Sequence, residues 1–155
     1  MSKEKKKNEG MTLITKTITN SLVSVIAMFG AYIALYGHLT PGGGFAGGVI
    51  IACSFILLTL THSKNISLKI FPDLAASLLD NIGALGFAVI GLLGFTAGAF
   101  FYNFIAKDEP FGLLSSGTIL FSNIAIMLKV MAGVFAVFVG LSIWSRIVSD
   151  TDKEE

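Results

Sequence analysis

Four long runs without a full charge dominate this chain: Thr17–Tyr36, Gly43–Thr61, Ile82–Phe104 and Gly117–Ser145. Asp, Glu, Lys and Arg are absent from all of them except for Lys129 in the last. About 20 apolar residues at a rise of ~1.5 Å cross the ~30 Å of a bilayer's hydrocarbon, so each run is long enough to span. The runs are continuously apolar and do not alternate, which favours helices over the strands of a membrane barrel. With 54% apolar and 14% charged residues in a chain of 155, a soluble domain is excluded. The expected fold is all-α, a polytopic membrane protein of four transmembrane helices.

Lys129 stands near the middle of the fourth run. A charge at that depth costs ~2.5–3.5 kcal/mol on insertion scales, so it should face protein or water. Two roles fit. Lys129 either pairs with a carboxylate or carbonyls of a neighbouring helix and locks subunits together, or it stands on an ion or proton route.

Nine of the eleven Lys and Arg residues fall before the first run, between the second and third, or after the fourth. The positive-inside rule then puts both termini in the cytoplasm. The chain divides into a basic cytoplasmic segment 1–16, a four-helix transmembrane domain 17–145 and a charged cytoplasmic tail 146–155. The first run lacks an A-x-A-like cleavage site and reads as a retained span, not a signal peptide. Cys53 is the single cysteine, so no internal disulfide is possible.

The first outer connection is short, Gly37-His38-Leu39-Thr40-Pro41-Gly42. Thr40-Pro41 reads as a cap followed by Pro at the first helical position. Gly44, Gly48 and Ala52 continue a small-residue stripe down the second span, read as close packing of spans one and two. The glycine-rich end could instead line a cavity. Pro72 and Asp73, with leucines following at helical spacing, predict a short interfacial helix before the third span, with Asp80 at the membrane edge. Gly91, Gly94 and Gly98 share one side of the third span, Gly94 and Gly98 as a GxxxG pair; Asp80, Gly83 and Phe87 come to roughly that side. The loop Lys107-Asp108-Glu109-Pro110-Phe111-Gly112 is polar and unsuited to a helix.

On the fourth span Thr118, Ser122, Ala125, Lys129, Ala132, Gly133, Ala136 and Gly140 share a face, which should meet protein. Phe121, Ile124, Leu128, Met131, Phe135 and Phe138 flank or oppose it and should meet lipid or a second subunit. Asn123 projects about 120° from Lys129 and reads as an interhelix amide. Trp144 and Arg146 mark the inner interface.

No metal-ligand cluster is legible: His38 and His62 lie at opposite membrane faces and Cys53 has no partner at ligand spacing. The glycines of HLTPGGGF match neither phosphate-binding loops nor dinucleotide motifs. Ser115-Ser116 reads as a helix cap. No cofactor, nucleic acid or enzymatic activity is expected. One intramembrane charge and no evident inverted repeat also fall short of a self-contained transporter. The chain reads as a component of something larger.

The stretch GHLTPGGGFAGG, Gly37–Gly48, preceded by one span and followed by further spans, resembles the B subunit of Mrp-type multisubunit sodium/proton antiporters over about Thr12 to Ser145. The resemblance implies four membrane helices in the cell membrane and assembly with other membrane subunits. It implies an accessory role beside large subunits that carry the main antiport machinery, with sodium ions and protons as the transported species. In bacterial antiporters the last span tends to begin with a Phe-Asp pair and then runs apolar. Here Phe121-Ser122-Asn123 puts an amide about where that acid would be, and Lys129 stands where an apolar residue would be expected, so the acid's role is not carried over. The lysine beside GHLTPGGGF is more similar to the Mrp-related subunits of membrane-bound hydrogenases and sulfur reductases. The candidate ion-route residues are Lys129, Asp80, His38 and Asn123; the candidate packing residues are Gly44, Gly48, Gly94, Gly98 and Gly133. The alternative is a purely structural subunit of a redox-driven ion-pumping complex.

Overall fold

The computed structural model describes residues 11–62, 73–105 and 116–151, and all regular structure among them is helical. Four helices carry the fold: α1 Leu13–Leu35, α2 Gly44–His62, α3 Asp73–Leu93 and α4 Thr118–Thr151. All four contain a segment long and apolar enough to cross a membrane.

α1 begins about one turn before its apolar run, because Thr12 caps it. The Thr12 hydroxyl oxygen accepts from the Thr15 N–H at 3.5 Å and pairs with the Thr15 hydroxyl at 2.9 Å. Lys16 therefore sits in the first turns of the helix. In the connection to α2 the expected cap is not formed. Thr40 turns back instead, its N–H and hydroxyl both donating to the Tyr36 carbonyl at 3.0 and 3.1 Å. α2 starts only at Gly44, after Gly43 has reversed the chain at φ 133°, a conformation that favours glycine. Pro41 belongs to the connection.

The third span lies about two turns earlier than the apolar run indicates: it covers Leu74–Thr96, not Ile82–Phe104. Pro72 is outside the described residues, and from Asp73 the helix runs without a break into the span. Among the described residues no break sets an interfacial helix apart from the span, and Asp80 stands two turns inside α3. A 3₁₀ turn, Gly94–Ala97, ends the span and Gly98 at φ 107° reverses the chain. The Phe101 N–H then donates to the Gly91 carbonyl at 3.2 Å. A Cβ on Gly94 would lie 2.6–2.8 Å from the backbone of Tyr102, Phe101 and Ala99, and one on Gly91 would meet the rings of Phe100 and Phe101. Gly94 thus receives its own chain folding back, while Gly98 makes the turn and has nothing within 4 Å of its Cβ position among the described residues. The polar loop at 107–112 lies outside the described residues.

α4 is the hub. α1 packs on α2, α2 on α4, and α4 on α3. The α1–α2 contact uses Gly30 and Gly47: a Cβ on Gly47 would stand 2.6 Å from the Gly30 carbonyl and 2.8 Å from the Ala34 methyl. Gly44 and Gly48 face the other way, onto α4. A Cβ on Gly44 would overlap the Asn123 carbonyl, and one on Gly48 would come within 2.8 Å of the Met127 carbonyl and 2.9 Å of Val130 Cβ. The stripe expected to bind span one therefore binds span four, because α2 is sandwiched and carries a small-residue face on both sides.

The core cluster joins Ile51 and Ala52 of α2, Ala76 of α3, and Met131 and Phe135 of α4. Phe135 is fully buried, edge-on to Phe55 with ring centroids 6.3 Å apart. This reverses part of the expectation for the fourth span. Met131 and Phe135, assigned to lipid or a second subunit, fill the core, while Ala136 and Gly140 of the small-residue face are exposed. Gly133 has no atom of the described residues within 4 Å of where its Cβ would be, so none of the helices described here packs on it. With α2 and α3 on two sides of α4, the bulky residues between them are the ones enclosed.

Two polar details fix the helix ends. The buried Thr19 and Thr61 hydroxyls hydrogen-bond at 3.2 Å, tying the start of α1 to the end of α2. The start of α4 is capped from the loop before it. The Asn103 amide oxygen accepts from the Thr118 N–H at 3.0 Å and its amide nitrogen donates to the Ser116 carbonyl at 3.1 Å. Gly117, at φ 59°, leaves the space that Asn103 occupies. Of the expected cap Ser115-Ser116, Ser115 lies outside the described residues and Ser116 has its hydroxyl buried without a hydrogen-bond partner.

Candidate functional site

Where α3 meets α4 the helices touch backbone to backbone at Gly83. A Cβ there would lie 2.7 Å from the Ala125 carbonyl, 2.8 Å from the Lys129 nitrogen and 3.0 Å from Lys129 Cβ. Any larger residue would push the helices apart. That approach brings the Lys129 side chain alongside α3, and one turn before Gly83 stands Asp80. Lys129 Nζ donates to Asp80 Oδ1 at 2.9 Å. A charge-assisted bond of this length holds both side chains in a defined place.

The pair lies on the outside of the chain. The Lys129 side chain is 49% exposed and that of Asp80 39% exposed. Ala125 and Ala132, flanking Lys129 on α4, are buried. Two formal charges on a membrane-embedded surface call for protein or water as their next neighbour, not acyl chains. The site is thus neutral as a whole, held together inside this chain, and open outward.

Of the four residues singled out in the sequence, the fold brings Lys129 and Asp80 together and leaves the others elsewhere. Asn123 is on the opposite seam of α4, its backbone against Gly44 and its amide oxygen 3.7 Å from where a Cβ of Gly43 would be. His38 sits half-buried in the α1–α2 turn. Gly83, which makes the pair possible, was visible in the sequence only as a residue one turn from Asp80 on the same side. Among the described residues no group of three His, Cys, Asp or Glu could hold a metal ion.

A family model described as a domain related to the MnhB subunit of Na+/H+ antiporters matches residues 14–136. The chain belongs to this family. An uncharacterized protein of Methanocaldococcus jannaschii is 33% identical over 93% of this chain and 57% of its own length. A putative antiporter subunit, mnhB2, of Staphylococcus aureus strain Newman is 28% identical over 84% of this chain and 94% of that one. Among solved structures, a chain of the membrane-bound sulfane sulfur reductase, an archaeal respiratory membrane complex, superposes with a TM-score of 0.69 at 30% identity. The match covers 86% of this chain and 61% of that one. The chain therefore spans little more than half of the archaeal relative. As a member of the MnhB-related family with four membrane-crossing helices, it is a multi-pass membrane protein.

Proposed function

We propose that this chain is an accessory subunit of a multisubunit sodium/proton antiporter module in the cell membrane, and that the Asp80–Lys129 pair lies on an ion route at its contact with other membrane subunits. The observation that carries the reading is the pair itself: joined at 2.9 Å, in two membrane helices, and half open to the outside of the chain. A pair left open at membrane depth fits a neighbour that supplies polar groups or water. Family membership supports the antiporter context.

The test is sodium/proton exchange by vesicles holding the assembled complex. Lys129→Ala should abolish exchange or reduce it at least tenfold while the subunits still copurify. Lys129→Arg should restore it poorly, since a planar guanidinium cannot replace a compact ammonium. Full exchange by assembled Lys129→Ala complexes would sink the ion-route role.

A second reading has support of its own. The sulfane sulfur reductase match favours a subunit of a redox-driven complex, in which this chain is structural. In that case Lys129→Ala would lower complex yield without changing the exchange of what assembles.

Both termini belong in the cytoplasm on this proposal, since nine of eleven basic residues lie on that side. In a Cys53→Ala background, Asp108→Cys should react with an impermeant thiol reagent on intact cells. Lys6→Cys and Lys153→Cys should react only after permeabilisation, and the opposite pattern would invert the topology.

A further inference from the structure

Two hollows flank the ion pair along the α3–α4 seam. One, of ≈ 420 Å³, is lined by Gly83, Ala84, Phe87, Ile126, Lys129 and Val130. The other, of ≈ 490 Å³, runs from Asp80 and Ser77 past Ala136 and Gly140 to Ile143. Lys129 borders only the first and Asp80 only the second, so the pair is the partition between them. The second hollow reaches the end of the seam where α3 begins and where Trp144 lies on α4, the end that carries the termini. Among the described residues nothing lies within 4 Å of the missing Cβ positions of Gly133 and Gly140 on its wall.

We propose that the second hollow is a water-filled entry through which a small monovalent cation reaches the Asp80 carboxylate, with the Ser77 hydroxyl beside it, while the Lys129 ammonium swings into the first hollow. The inference rests on the ion-route reading and adds the entry, the binding group and the displaced group. An ionised carboxylate inside a membrane needs a counter-charge. In the closed state Lys129 supplies it, and in the open state the incoming cation does. The four-carbon lysine stem is flexible enough to move its ammonium between the two positions, and its 49% exposure leaves that motion unhindered within the chain. Carboxylate, hydroxyl and water oxygens suit a hard cation such as sodium. Phe87, its ring tilted against that of Phe101 with centroids 5.0 Å apart, lines the first hollow beside Lys129.

The test uses assembled complexes in inside-out vesicles, in a Cys53→Ala background, with Gly140→Cys as the probe and Ala136→Cys as a second one. Methanethiosulfonates carrying an ammonium or a sulfonate report access and local charge. Both reagents should modify either probe from the terminus side, while Leu85→Cys on the outer surface of α3 should stay unmodified. Adding Lys129→Met bares Asp80, and the ammonium reagent should then react about tenfold faster than the sulfonate, as a charged cleft focuses counter-ions. Sodium in place of choline should erase that preference, and Asp80→Asn should remove it. Probes as inert as Leu85→Cys in complexes that copurify would mean that a partner helix or lipid fills the hollow, overturning the entry. Access without a sodium-sensitive charge preference would overturn the cation site. Exchange measured in the same vesicles separates these failures from failure of the ion-route reading, which depends on Lys129 and not on access at Gly140.

Discussion

The two seams that hold α4 are built from the same device and end in opposite chemistry. On one side Gly44 and Gly48 let α2 lie against the Asn123 and Met127 backbones, and no charge is involved. On the other side Gly83 lets α3 lie against Ala125 and Lys129, and the closeness delivers an ammonium to a carboxylate. The α2 side is closed: 39% of the membrane segment of α2 is buried within the chain, against 17% for α3. Close backbone approach stabilises helix pairs in lipid whatever the side chains are, because packing and not the hydrophobic effect drives association there. The difference is in what the approach is used for. The dry seam fixes the fold, and the charged seam positions a pair whose surroundings are completed from outside the chain.

The contrast breaks most sharply at Gly44. Gly44→Val places side-chain atoms on the Asn123 backbone, which cannot yield as a flexible side chain would. Overpacking of this kind costs about 3 kcal/mol or more, so the purified protein should lose its cooperative thermal transition or fail to accumulate. A Tm within a few degrees of the parent would show that the dry seam is not rigid.

Gly83→Leu should cost somewhat less, about 1–3 kcal/mol, because among the described residues α3 packs chiefly on α4 and can shift outward. Its signature is specific. The Asp80–Lys129 pair should break, so a charge reversal at the two positions would no longer behave as a pair. If the pair still couples in Gly83→Leu, the close approach is not what makes it.

The smallest effect is that of the pair on stability. Asp80→Asn and Lys129→Met alone each leave one charge uncompensated, while the double variant removes both. A double-mutant cycle on the thermal or denaturant stability of the complex should give a coupling of about 1 kcal/mol, since half-exposed pairs contribute little. A coupling of several kcal/mol would mean the pair is buried in the assembly and acts as a lock.

Much of this was legible in the chain. The four spans follow from charge-free runs alone, and Lys129 was marked by its isolation in one of them. The third span starts and ends earlier than hydropathy indicates because the charge-free run continues through Phe100, Phe101 and Tyr102, which fold back on Gly91 and Gly94. Hydropathy registers the character of a residue and not the direction of its backbone. The Asn103 cap and the inward-facing Met131 and Phe135 escaped for a related reason: each depends on which helix is next door.

What the sequence determined by itself is therefore the solvent: the number of membrane helices, their approximate extent and the one charge that lipid would reject. Those are properties of single segments set by transfer free energy. Neighbour relations were decided only by the tertiary structure. It set α4 between α2 and α3, turned the Gly44–Gly48 stripe toward span four, and chose Asp80 from two turns inside α3 as the partner of Lys129. The physical reason is that a membrane helix carries small residues on several faces at once. Which face is used depends on the summed fit of all its neighbours, and no segment encodes that alone.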